Sequence, residues 1–341
     1  MDTKAMLEQL CQSSGVAGCE YEAAETAVRL CREMGLGEAR ITPLRSVICP
    51  VRPAKEGAPH LLLNAHIDEI GMIVTHVEDS GFLRVNRSGG VDRRLLMGSP
   101  VWVHTDEGAL PGVIGSVPPH LQEGEQKNPT WEETYVDVGL TGEEAKARIP
   151  LGSYITFEGP FTCLQGSLVS SKALDDRCGC VAVLMAAQQL KDAPGDFGLT
   201  VLLSSMEETN GAGAHTGAWT VAPTHSLVVD VTFGETPEIK EHHPGKLGGG
   251  PMVAFAALLD RQMGRDLVRL ARENNIPVQI EGAGGSSTGT DADSIAPSRA
   301  GVRTCGIGIP ERYMHTPIEV IDIQDVENTA RLMVLYATHC L

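Results

Sequence analysis

The chain predicts an α/β fold: a mixed-sheet α/β domain interrupted by a small inserted all-β, barrel-like domain. Three observations predict it. Strand-like apolar runs alternate with helical patterns toward both ends of the 341 residues. Between them, from about Gly71 to Cys163, the chain carries short alternating segments broken by Gly and Pro, with little helical periodicity. The 38 glycines favour tight turns and close backbone approach over long helical bundles. Residues 1–71 and 164–341 therefore read as one discontinuous α/β domain and 72–163 as the insertion, in keeping with roughly 100 to 200 residues per domain.

Taken in order, helical patterns cover 4–12 and 22–34, the second stopped by Gly35 at a C-cap position. Strands follow at 46–51 and 60–64. Leu61-Leu62-Leu63 is a continuous apolar run of the kind buried on both faces of a sheet, and it exits on the polar segment Asn64-Ala65-His66-Ile67-Asp68. The insertion holds six strand patterns, at 71–77, 82–86, 100–104, 112–117, 135–138 and 153–157, with a polar loop at 119–131 expected to be mobile. Alternation then resumes. Asp176 caps a helix to about residue 190, and a strand at 199–204, a helix at 211–219 and a strand at 225–230 follow. A helix at 260–273, a strand at 302–307 and a closing helix at 325–338 complete the chain.

Composition narrows the partners. A net charge of −17 without a Lys/Arg cluster repels phosphate backbones and anionic lipid, so neither nucleic acid nor a membrane surface is expected as a partner. Only 14 aromatic residues make a poor stacking platform for bases or sugars. The N-terminal segment lacks the basic and apolar regions of a signal peptide, no apolar run is long enough to span a bilayer, and nine scattered cysteines suit reduced thiols. A cytoplasmic location is the expectation. The closely spaced Cys178-Gly-Cys180 pair reads as packed helix cysteines rather than a zinc knuckle.

Five polar clusters sit at the ends of these elements: His66-Ile-Asp68, Asp175-Asp176, Glu207-Glu208, Asp230 and His315. Three directly follow strands, where ligands bind in an open α/β sheet. Each has an ordinary reading as well, His66 as a strand-end histidine with a hydrogen-bonded neighbour and Asp175-Asp176 as a helix N-cap. Glu207-Glu208 is less ordinary, since two carboxylates at the mouth of a buried strand repel each other unless a cation sits there. Together the clusters supply the imidazoles and carboxylates that two neighbouring divalent ions require, an inventory suited to Zn, Co or Mn.

The blocks Asn64-Ala-His-Ile-Asp-Glu-Ile-Gly71, Ser171-Lys-Ala-Leu-Asp-Asp-Arg177, Glu207-Glu208, Val229-Asp-Val231, Gly289-Thr-Asp-Ala292 and Arg312-Tyr-Met-His315 resemble, in order and spacing, the signature blocks of the M42 metallo-aminopeptidases. The insertion resembles that family's in Gly81-Phe-Leu-Arg-Val85, Gly89-Gly-Val-Asp92 and Ser116-Val-Pro-Pro-His120. The resemblance implies a metal-dependent aminopeptidase that removes N-terminal residues from short peptides. It implies two divalent metal ions held by His66, Asp175, Glu208, Asp230 and His315, with Asp175 bridging. Glu207 matches the general base that activates a metal-bridging water, and Asp68 the carboxylate that orients His66. A homo-oligomer is implied too, built from dimers through the insertion and extending to a dodecamer. The competing readings are a metallohydrolase of another acylated small substrate and an endoglucanase-type glycosidase; the latter explains neither histidine. The chain departs from the family pattern at Thr209-Asn210-Gly211, near the site. The polar run 284–288 reads as a flexible loop or a substrate-pocket wall, His242-His243 as a surface or subunit contact, and His120 as a loop residue that reaches a neighbouring subunit.

Overall fold

Leu61, Leu62 and Leu63 are fully buried at the centre of a mixed sheet with helices on both faces, as their unbroken apolar run requires. The computed structural model describes residues 2–121, 128–237, 244–282 and 287–341. Its first elements are α1 (Thr3–Gln12), α2 (Tyr21–Glu33), β1 (Arg40–Ile41), β2 (Val47–Arg52) and β3 (His60–His66). Gly35 takes φ +64° just past α2, where a side chain would be strained.

The insertion supplies β4 (Gly71–Val77), β5 (Leu83–Ser88), β6 (Pro100–Thr105), β7 (Gly108–Ile114), β8 (Tyr135–Asp137), α3 (Gly142–Arg148) and β9 (Tyr154–Phe157). Its six strands close into an antiparallel barrel in the order β4-β5-β8-β7-β6-β9, which leaves no open edge. Met72, Leu83, Val101, Val103, Val136 and Ile155 fill it. Two details differ from the sequence pattern. β7 ends at Ile114 instead of reaching residue 117, because a tight turn pairs Thr105 with Gly108 and sets the register from there. The short helix α3 carries no long periodicity and is fixed by a capping box between Thr141 and Glu144.

Then come β10 (Thr162–Cys163), β11 (Leu168–Ser171), α4 (Leu174–Leu190), β12 (Gly198–Ser204), α5 (Ala212–Val221), β13 (His225–Phe233), β14 (Met252–Phe255), α6 (Arg261–Glu273), β15 (Gln279–Gly282), α7 (Ala292–Ile295), β16 (Arg303–Arg312), β17 (Glu319–Asp322) and α8 (Ile323–Cys340). The large sheet runs β1-β2-β12-β3-β13-β16-β17-β11-β10, with β14 and β15 attached beside β16. Strands β12, β3, β13 and β16 are parallel neighbours. Leu61, Leu63, Val201 and Leu203 face the layer that contains α1, α2, α4, α6 and α8. Leu62, Leu202 and Val228 face the layer of α5 and α7. The two-residue period of a strand thus distributes one apolar run between two cores. All nine cysteines are free thiols, and Cys178 and Cys180 are buried in α4. Among the described residues no helix is long and apolar enough to cross a membrane.

Candidate active site and metal centre

The carboxyl ends of the four parallel strands open on one side of the sheet, and the polar clusters meet there. His66 closes β3, Glu207 and Glu208 follow β12, Asp230 lies in β13 and His315 follows β16. Asp175 comes from the start of α4, ahead of the regular helix. The helix proper begins after Asp176, whose carboxylate accepts the Gly179 N–H at 3.1 Å as an N-cap. His66 Nε2 lies 2.9 Å from Asp175 Oδ1 and 3.8 Å from Asp230 Oδ1. His315 Nε2 lies 3.4 Å from both Asp175 Oδ2 and Glu208 Oε2. Two donor groups result, His66 with Asp175 and Asp230, and Asp175 with Glu208 and His315, the donor atoms within each lying within 4.8 Å of one another. They share Asp175.

Surrounding groups hold these side chains in place. The Asp68 carboxylate accepts the backbone N–H groups of Glu207 and Glu208, each at 3.1 Å, and so fixes the turn that carries both glutamates. Its nearer approach to His66 Nδ1 is 3.6 Å, longer than a hydrogen bond, and that ring nitrogen is buried without a partner among the described residues. Glu319 accepts the N–H groups of Asp175 and His315, both at 3.1 Å. From the barrel side, the Gly90 carbonyl accepts from His315 Nδ1 at 3.1 Å. The His315 backbone is in the left-handed region, at φ +64°, and these two contacts hold it there.

The electrostatics are those of an acid surplus. Burial, reinforced by neighbouring carboxylates, pushes Glu207 and Glu208 each up to about 8. Burial also drives Asp230 well above the usual carboxylate range. Burial opposes a charge on His315, but Asp175 and Glu208 outweigh it and lift the ring to about 9; His66 is raised by Asp175 and Asp68 against the same opposition. For Asp175 the two histidines overcome burial and hold the carboxyl below its ordinary value. Among the described residues the ion-pair partners of Asp175, Asp230 and Glu208 are those two histidines, with no lysine or arginine. A cavity of about 610 Å³, whose walls include Asn210, Phe233, Ala254 and Met314, opens onto the group.

Sequence reasoning missed Glu319 and the carbonyl of Gly90. Glu319 follows His315 by four residues and has no striking neighbours, and a backbone carbonyl leaves no trace in residue type. Asp291, in the Gly289-Thr-Asp-Ala292 block, is buried beneath the site and accepts the Ser204 hydroxyl. His120 is exposed on a short turn. His242, His243, residues 284–286 of the Gly/Ser run and the centre of the 119–131 loop lie outside the described residues, whereas Ser287 and Thr288 both donate to Asp293.

A model of the M42 glutamyl aminopeptidase family matches residues 46–332. The lysyl aminopeptidase of Pyrococcus furiosus is 31% identical over 333 residues, which cover 96% of this chain and 94% of that protein. Among solved structures, an aminopeptidase from the archaeon Desulfurococcus kamchatkensis is 30% identical and superposes with a TM-score of 0.91, covering 99% of this chain and 95% of its own. The TET1 peptidase of Pyrococcus horikoshii, which can assemble into a tetrahedron or a large octahedral shell, is 29% identical with a TM-score of 0.86 over 99% of this chain and all of that one. With matches of this extent over the same fold, the chain belongs to the M42 glutamyl aminopeptidase family.

Proposed function

We propose that this chain is a metal-dependent aminopeptidase that removes N-terminal residues from short peptides. The observation that carries the proposal is the pair of donor groups sharing Asp175. His66, Asp175 and Asp230 would hold one divalent ion and Asp175, Glu208 and His315 the other, with Zn, Co and Mn all suited to the donor set. The residues fit such a pair, because His66 Nε2 and the carboxylates of Asp175 and Asp230 converge in a buried, acid-rich pocket whose lining, among the described residues, includes no lysine or arginine. Bound there, two divalent ions supply Lewis-acid polarisation of a scissile carbonyl and lower the pKa of water.

The remaining steps belong to the chain. Glu207 lines the cavity, and no group among the described residues hydrogen-bonds its carboxyl, so both oxygens are free for water and substrate. We assign it the proton transfers: it takes a proton from the attacking water and delivers it to the leaving amine. Without metal, burial raises its carboxyl to about 8, and divalent ions held beside it would lower that value toward the range of a group that accepts and returns one proton. Asp68 positions Glu207 and Glu208 through their backbone N–H groups and stands beside His66. Substrates enter the cavity, whose volume fits a residue or two of extended peptide.

The proposal extends to assembly. Residues 72–163 would pair subunits through the barrel, and dimers would build a dodecamer of the kind formed by related TET peptidases, restricting access to short chains. Nine free thiols favour a reducing compartment, and the cytoplasm is the proposed location. The test compares one peptide with a free N-terminus and with an acetylated one. Release of the first residue from the free peptide alone is expected; cleavage of the acetylated form alone would move the assignment to acylated substrates.

A further inference from the structure

Glu311, near the end of β16, has no part in the function proposed above. Its side chain is 1% exposed, and neither carboxylate oxygen has a hydrogen-bond partner among the described residues. In register it pairs with Ile321 of β17, so it lies diagonally across from Glu319 on the same face of the sheet. One oxygen each from Glu311, Glu319 and Asp175 lie within 4.8 Å of one another. Glu319 is immobilised by the two backbone N–H groups it accepts. Asp175 presents Oδ1 to His66 and Oδ2 to His315 and keeps lone pairs beyond those contacts. Among the described residues no lysine, arginine or histidine pairs with Glu311. A buried carboxylate with no protein partner among the described residues is among the costliest groups a fold can hold.

We propose that Asp175, Glu311 and Glu319 form a third cation site, which shares Asp175 with the two donor groups that contain histidine, and that it takes a hard divalent ion. The donor set decides the class. Three carboxylates without imidazole or thiolate suit Mn²⁺, Mg²⁺ or Ca²⁺, whereas each of the other two groups contains a histidine. The ion would supply Glu311 with the partner that the protein withholds and tie it to Asp175 and Glu319. The competing occupant is a proton on Glu311.

A metal count separates the two. Full-length protein is stripped with chelator, equilibrated with excess Mn²⁺, freed of unbound ion and counted by elemental mass spectrometry. Three ions per chain are expected for the natural sequence and two for Glu311→Gln. A count of two in both overturns the proposal and assigns Glu311 a proton. Should Glu311→Gln fail to fold, anomalous diffraction from Mn²⁺-loaded natural protein decides: a third peak between Glu311 and Glu319 supports the site, and its absence overturns it. The count is made without substrate, so it stands or falls separately from the peptidase assignment.

Discussion

Gly90→Ala, a substitution in the barrel, should disable a centre built on the other domain. A Cβ at position 90 would lie 2.4 Å from His315 Nδ1 and 2.6 Å from Cε1, against an ordinary contact of 3.4 Å or more. The imidazole must therefore retreat by about 1 Å or swing out through its exposed side, and it gives up the 3.1 Å bond to the Gly90 carbonyl. Either movement separates Nε2 from Asp175 and Glu208, which it now approaches at 3.4 Å. A misplacement of about 1 Å at a reacting centre costs on the order of 100-fold in rate, or about 2.7 kcal/mol. Gly90 is exposed and has no positive φ, so the fold should survive and the melting temperature should move little. The assay is kcat/KM on a free-amino aminoacyl chromogen, alongside the metal content and the melting curve. Natural activity with full metal occupancy would refute the assignment of His315 as a ligand placed by the barrel.

Three further predictions follow from the same geometry. Glu207→Gln should keep its metal while kcat falls about 10²- to 10⁴-fold, read by steady-state kinetics with a parallel metal count; an undiminished kcat would exclude Glu207 as the proton carrier. Asp175→Ala should lose the ions of both histidine-containing groups, because both depend on that carboxylate, and full occupancy of those groups by elemental analysis would remove its bridging role. The third concerns pH. In chelated protein, burial raises Glu207 and Glu208 to about 8 and Asp291 to about 6, so the folded chain keeps protons that an unfolded chain releases near 4.5 and 3.8. His315, lifted to about 9 against its burial, contributes stability that is fully present below 6.5 and is lost as pH rises through 9. All four make the folded state bind more protons than the unfolded one, so the chelated protein should melt lower as pH rises from about 5 to 9. Metal displaces those protons, so the slope should shrink in the loaded protein. A chelated form that melts higher at pH 8.5 than at 5.5 would contradict this.

What could be read in the sequence was what side-chain type records. Leu61-Leu62-Leu63 announces a strand buried on both faces, and the carboxylates and imidazoles at strand ends announce a centre where the parallel strands open. The barrel was legible from its six alternating segments, but its register was not, because the turn between Thr105 and Gly108 sets it. Helix α3 was hidden because seven residues show too little of a 3.6-residue period. Strands β14, β15 and β17 span four residues each and resemble loop until a neighbour pairs with them. Within the site, residues that act through side-chain chemistry stood out. Those that act through the backbone did not: Glu319 grips two N–H groups, Gly90 contributes a carbonyl and the space of a missing Cβ, and Asp68, which stood out beside His66, gave no sign of its grip on the Glu207 and Glu208 N–H groups. Glu311 belongs to neither class, since nothing in its neighbours Pro310 and Arg312 marks a buried, unpartnered carboxylate.

The most direct measurement is hydrolysis of a panel of free-amino aminoacyl chromogens by the natural protein as loaded, after chelation, and after Zn²⁺, Co²⁺ or Mn²⁺ is restored. The expected result is activity that disappears with the chelator and returns with at least one of the three ions. Hydrolysis that persists at full rate in chelated protein, with the ions shown to be gone, would contradict the central claim that the His66 and His315 donor groups work by holding metal.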